Sequence, residues 1–174
     1  MAYTVPDDVD QRPVAVVGAG TLGRRVATVY AAGGSDVRIV DLSEQHRAAA
    51  RDYVAAHVDD VAETLGLPAD RHGWVETYDD LQAAVAGAWM VIEAVPEGLE
   101  LKTEVFGELD RLAEADAILC TNSSSLPSSQ IIGKVEHPER VLNTHYYQPP
   151  ELNSVELMSC GRTDEGVITA LMQR

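Results

Sequence analysis

The residues best suited to chemistry begin early in the chain. In VAVVGAGTLG a run of small branched residues ends at Val17, and Gly18, Gly20 and Gly23 then follow at the spacing G-x-G-x-x-G, ahead of a helical stretch. Each glycine has its own reason. Gly18 permits a tight turn, Gly20 lets the backbone approach a diphosphate, and Gly23 lets the helix pack closely on the strand. The first-turn amides at Thr21 and Leu22, with the positive end of the helix dipole, then face the anion. A second run, DVRIVD, ends in Asp41, 18 residues beyond Gly23. A carboxylate there accepts both hydroxyls of an adenosine ribose. Neither Leu42 nor Ser43 supplies an arginine for a 2′-phosphate, so the expected nucleotide is NAD rather than NADP. A turn residue capping the next helix is the other reading of Asp41.

A second group of candidates lies toward the far end. His145, flanked by Tyr146 and Tyr147, closes an apolar run, and Glu156 falls on the next one. Ligands of open α/β sheets collect at the carboxyl ends of the strands. A neutral imidazole there can take the proton of a secondary alcohol while the hydride on the same carbon leaves for a nicotinamide. A carboxylate partner would hold the imidazole tautomer and stabilise the imidazolium that forms. The pair also fits a hydrogen-bonded core histidine with an ordinary structural partner, and spacing alone slightly favours that reading. His46, His57, His72 and His137 read as surface residues. No histidine pair has metal-ligand spacing, so no metal is expected.

These residues need a frame to hold them. Strand-length apolar runs (14–17, 37–40, 74–77, 89–94, 117–120, 141–144 and 155–158) alternate with helical stretches. The stripes are Leu22, Val26 and Val29; Val54, Val58, Val61 and Leu65; and Leu101, Val105, Leu109 and Leu112. Gly33 and Gly34 close the first helix, Gly66 with Pro68 closes the second, and Thr163 is the expected N-cap of a last one. The pattern predicts an α/β fold of Rossmann type, a doubly wound, mostly parallel sheet with helices on both faces. Residues 1–12 read as a tail and 13–174 as one NAD-binding domain.

Composition narrows the partners. With 174 residues, 45% of them apolar, the chain can bury a core, and a net charge of -15 repels phosphodiester backbones and anionic lipid. Neither nucleic acid nor a membrane is an expected partner. Cys120 and Cys160 lack metal or redox spacing and read as buried, reduced thiols. The N-terminal MAYTVPDDVDQRP has no signal-peptide pattern, and no apolar run reaches membrane-spanning length, so a soluble, cytoplasmic protein is expected.

Three further segments, VIEAVPEGLELK, ILCTNSSSL and VLNTHYYQPPELNSVELM, resemble the 3-hydroxyacyl-CoA dehydrogenase family, specifically its N-terminal NAD-binding domain, from Val14 onward. The resemblance implies roles. Glu97 and Lys102 would lie near the nicotinamide ribose, Asn122 would contact nicotinamide or substrate, and Ser124 would bind the substrate and donate to the developing carbonyl oxygen. His145 would be the catalytic base and Glu156 its partner, one residue nearer than the family pattern. Read without the family, Asn122 and the serines are a polar turn, Glu97 a solvated first-turn acid, and Lys102 a surface charge pairing within its helix; Gly98 is a loop glycine or gives a cofactor room. The implied activity is NAD-dependent oxidation at C3 of an (S)-3-hydroxyacyl-CoA, as in fatty acid metabolism.

The chain departs from the family in three ways. Gln148 stands where relatives carry asparagine. Asp59, Asp60 and Glu63 occupy a helix that in the acyl-CoA enzymes meets the CoA nucleotide, and they would repel a 3′-phosphate. A free 3-hydroxy acid, as in the gulonate dehydrogenase and lambda-crystallin branch, therefore stands beside the CoA thioester as substrate. The family's helical domain, which completes the substrate pocket and forms a homodimer, is missing, so the chain reads as part of a protein about twice as long. A noncatalytic NAD-binding module is the competing reading. A 6-phosphogluconate or hydroxyisobutyrate type of dehydrogenase, with its lysine base in a second domain, fits the pattern from Asn122 to Glu156 less well.

Overall fold

A computed structural model describes residues 3–68, 71–147, 149 and 154–173. Among the described residues seven strands form one sheet: β1 (Val14–Val17), β2 (Val37–Val40), β3 (Val75–Tyr78), β4 (Met90–Glu93), β5 (Ile118–Thr121), β6 (Val141–Tyr146) and β7 (Val155–Ser159). Their order is β3-β2-β1-β4-β5-β6-β7, parallel throughout except for β7, which pairs antiparallel with β6. Both β2 and β4 flank β1, so the chain reverses its direction of winding there and opens a crevice above the carboxyl ends of β1 and β4. This is the expected Rossmann-type arrangement.

Why these strands form is plain from their burial. β1, β4 and β5 are buried at every position, as strands covered on both faces must be. Helices α1 (Thr21–Ala32) and α2 (Glu44–Leu65) pack against one another, and Val26, Ala27, Val54 and the inward residues of β1 and β4 share one apolar cluster. Helix α4 (Leu99–Leu112) joins the second cluster, through Phe106 and Leu109, with Ala15, Val91 and Leu119. The short α3 (Leu81–Val85) and α5 (Ser128–Ile131) and the last helix, α6 (Glu165–Met172), complete the frame. Gly66 ends α2 in the left-handed region at φ +67°, as its position after the apolar stripe predicted.

Several local expectations need correction. Strand β3 begins at Val75, with Trp74 46% exposed before it. In α4 the expected stripe is off by one residue at its start: Leu101 is 45% exposed and Lys102 takes the buried position, because a carboxylate waits for it inside. Asp164, not Thr163, caps α6 by accepting from the Gly166 N–H at 2.8 Å, while the Thr163 hydroxyl donates to the Val141 carbonyl at 2.5 Å. His57 and His72 are half-buried rather than surface residues, His57 through its stacking on Tyr53 and His72 beside Asp59. Residues from Tyr3 to Arg12 make contacts with the domain. Val9 enters the core, Arg12 pairs with Asp116 at 2.8 Å, and Tyr3 donates to the Asp116 carbonyl at 2.7 Å. Both cysteines are buried, and burial pushes the Cys120 thiol up to about 12, which keeps it protonated and unreactive. Among the described residues no helix is long and apolar enough to cross a membrane.

Candidate active site

The glycine turn has the geometry its spacing implied. Gly18 lies at φ +106°, where a Cβ would meet the Ala94 carbonyl oxygen at 2.7 Å. At Gly23 a Cβ would fall 1.9 Å from the Gly18 carbonyl oxygen, so strand end and helix start touch backbone to backbone. Gly20 differs. A Cβ there would meet nothing within 4 Å, because the residue faces the open crevice at the N-cap of α1. Above it stand first-turn amides that have no acceptor within the helix. The donors, the helix dipole and the bare backbone fit a diphosphate.

Asp41, at the end of β2, anchors one side. Its Oδ2 accepts from the Ala19 N–H at 2.9 Å and its Oδ1 from the Ser43 N–H at 2.8 Å. Two backbone bonds fix the carboxylate beside the turn and leave it lone pairs for ribose hydroxyls. Ser43, rather than Asp41, caps α2, by accepting from the His46 N–H. Arg47 lies nearby, but its guanidinium donates to the carbonyls of Asp41 and Leu42 at 2.7 and 3.2 Å. His46, expected as an ordinary surface residue, is exposed yet lines the crevice, with Nδ1 3.4 Å from Asp41 Oδ1.

The other side rises from β4 and β5. Lys102 is 1% exposed and donates to Glu93 Oε1 at 2.6 Å and to the Val95 carbonyl at 3.3 Å. Glu93, 0% exposed, also accepts from the Val95 N–H and from the Thr121 hydroxyl, at 2.8 and 2.7 Å. Lys102 is thus neither a surface charge nor a within-helix partner. It ties α4 to β4 from the inside, and its second carboxylate is Glu97, with Oε2 at 3.3 Å. Glu97 Oε1 in turn accepts from the hydroxyls of Ser123 and Ser125 and from the Ser125 N–H at 3.2 Å. Burial works against ionising Glu97, but the two serine hydroxyls and then the Lys102 charge hold its carboxyl down at about 2. Gly98, in extended backbone at the N-cap of α4, has no strained geometry that requires glycine.

One crevice of about 510 Å³ joins the two sides. Gly18, Gly20, Thr21, Leu22, Asp41, Glu97, Lys102, Asn122 and Ser124 all line it, whereas Gly23 lies beneath the turn. His145 and Glu156 do not line it; they meet each other. The β6–β7 register sets them directly opposite, and His145 Nδ1 lies 3.4 Å from Glu156 Oε2. The Tyr147 hydroxyl and then His145 hold Glu156 below the usual carboxylate range, and the imidazole packs on the Tyr147 ring at 4.7 Å between centroids. Asn122 links the groups, since its Oδ1 accepts from the Tyr146 N–H at 3.0 Å, next to His145. Its amide NH₂ is what remains to offer a ligand. Gln148 lies outside the described residues.

Sequence reasoning missed Glu93, Thr121, Ser123 and His46. The signal for Glu93 was present, a single acid closing the otherwise apolar run WMVIE. An acid in a strand buried on both faces requires a buried partner.

Comparison with known proteins then identifies relatives. Residues 13–174 match the family model described as 3-hydroxyacyl-CoA dehydrogenase, NAD binding domain. The chain is 34% identical, over 163 residues, to a 3-hydroxybutyryl-CoA dehydrogenase of Mycobacterium tuberculosis, a match covering 91% of this chain and 57% of that protein. It is 33% identical, over 143 residues, to a 5-formyl-3-hydroxy-2-methylpyridine 4-carboxylate 5-dehydrogenase of Mesorhizobium japonicum, covering 81% of this chain and 46% of the relative. Among solved structures, the 3-hydroxybutyryl-CoA dehydrogenase of Escherichia coli K12 superimposes with a TM-score of 0.82 at 30% identity, over 93% of this chain and 35% of the other. The chain therefore spans about half, or less, of the length of these relatives.

Proposed function

The chain belongs to the 3-hydroxyacyl-CoA dehydrogenase family as its NAD-binding domain, and from that premise we propose that it serves an NAD-dependent oxidation of the C3 secondary alcohol of an (S)-3-hydroxyacyl-CoA or a related 3-hydroxy acid. NAD is the cofactor of this domain, and when bound it supplies the carbon that accepts the hydride. The turn from Gly18 to Gly23 holds its diphosphate, and Asp41 orients the adenosine ribose. On the opposite side the Glu93–Lys102–Glu97 network fixes the loop that bears Asn122 and Ser124.

The observation that carries the reading is the His145–Glu156 pair, set across β6 and β7 and tied through Tyr146 to Asn122 in the crevice. With Nδ1 turned to the carboxylate, Nε2 is free to take the alcohol proton. Glu156 stays ionised and stabilises the imidazolium that results. The exposed Ser124 donates to the oxygen as it becomes a carbonyl.

Substrate choice turns on charge. Asp59, Asp60 and Glu63 are exposed along α2, where they disfavour a phosphorylated CoA nucleotide. The relatives include one enzyme named for a CoA thioester and one named for a free carboxylate. The acyl-recognising walls and the homodimer belong, in this proposal, to a protein of the relatives' length. A panel of 3-hydroxyacyl-CoA thioesters and free 3-hydroxy acids, mixed with NAD and the complete gene product and followed as NADH absorbance, tests it. Turnover of a member supports the proposal and names the class. NAD binding without turnover of any leaves a noncatalytic module and refutes it.

A further inference from the structure

The charges on the nicotinamide side of the crevice do not balance. One ammonium, Lys102, faces two carboxylates, Glu93 at 2.6 Å and Glu97 at 3.3 Å, a formal sum of -1. Glu93 is sealed in the core and spends its oxygens on Lys102, Thr121 and Val95. Glu97 stands at the mouth of the cluster, its side chain 41% exposed and lining the crevice. Three donors from the serine loop pin it there.

The position matters because of what the two ends of the crevice hold. With the diphosphate over α1 and the adenosine ribose at Asp41, the other half of a dinucleotide runs toward β4 and β5, past Glu97. Its nicotinamide ring is cationic in NAD⁺ and neutral in NADH. We propose that Glu97 sets the redox preference of the crevice: its fixed negative charge, beyond what Lys102 neutralises, favours the oxidised nicotinamide over the reduced one. This deepens the NAD reading and rests on it. The serine hydroxyls and Lys102 keep the carboxylate ionised down to about pH 2, so the bias persists at any working pH.

The test is the ratio of two dissociation constants, Kd(NAD⁺)/Kd(NADH), measured on the chain by calorimetry and NADH fluorescence. Glu97→Gln keeps the size of the side chain and an oxygen for the serine donors but removes the charge. Charge effects common to both nucleotides cancel in the ratio. A unit charge several ångströms away in a partly hydrated crevice predicts a rise of roughly threefold to tenfold. Glu100→Gln removes an equal charge from the exposed first turn of α4, outside the crevice, and should leave the ratio within about twofold. A ratio unmoved by Glu97→Gln, or moved as far by Glu100→Gln, overturns the proposal while the NAD reading stands. Failure of the unaltered chain to bind either nucleotide overturns both.

Discussion

Adding one methyl group at Gly20 and, separately, at Gly23 should separate binding from folding. At Gly20 the backbone is extended, at φ -67° and ψ -173°, and a Cβ meets nothing within 4 Å. Alanine there loses a little as an N-cap and gains a little by restricting the unfolded chain, so stability should stay within about 1 kcal/mol. For a domain of this size that is a shift in Tm of roughly 2–4 °C. The methyl would nevertheless occupy the approach of the diphosphate. Losing one charge-assisted hydrogen bond of roughly 1.5–3 kcal/mol weakens NADH binding about tenfold or more. At Gly23 the outcome inverts in kind. A Cβ placed 1.9 Å from the Gly18 carbonyl oxygen cannot be relieved by a rotamer change, since both sides are backbone. Overpacking of this sort costs about 3 kcal/mol or more, or a fall in Tm of roughly 6–12 °C. Thermal denaturation and NADH fluorescence titration on the same samples read both effects. Wild-type affinity in Gly20→Ala would refute a diphosphate over that turn, and wild-type stability in Gly23→Ala would refute the backbone contact.

Other perturbations bear on the rest of the site. His145→Ala should abolish turnover by the complete gene product while leaving NADH affinity within about twofold, because the residue lies outside the cofactor crevice; residual turnover near wild type would remove it as the base. Lys102→Met leaves Glu93 buried without its cation and should cost about 3–5 kcal/mol in urea denaturation, a loss that adding Glu93→Gln should largely restore. Glu97 titrates in the folded chain at about 2 against an ordinary 4.5, so its contribution to stability is whole above about pH 4.5 and drains away as pH falls toward 2. Urea midpoints between pH 5 and 2.5 should therefore fall less steeply in Glu97→Gln than in the unaltered chain. Asp164→Ala removes the cap of α6 and should cost about 1 kcal/mol, whereas a similar loss in Thr163→Ala would come from its hydrogen bond to Val141.

What the sequence determined by itself was whatever depends on neighbours along the chain. Apolar runs of strand length, helical stripes, the glycine spacing and the acid closing the second strand are local patterns, and a parallel sheet with a nucleotide turn follows from them. The resemblance in the later segments added the family. Tertiary structure decided which way each element turns about its axis and which distant residues then meet. The rotation of α4 buried Lys102 and exposed Leu101, a one-residue choice that a stripe of three leucines and a valine leaves open, and it was settled by a carboxylate nine positions back on a different element. The apposition of His145 with Glu156 likewise rests on the register of the antiparallel β6–β7 pair. A buried charge finds its partner only once the sheet exists, because the low-dielectric surroundings that make the pairing obligatory are themselves a product of the fold.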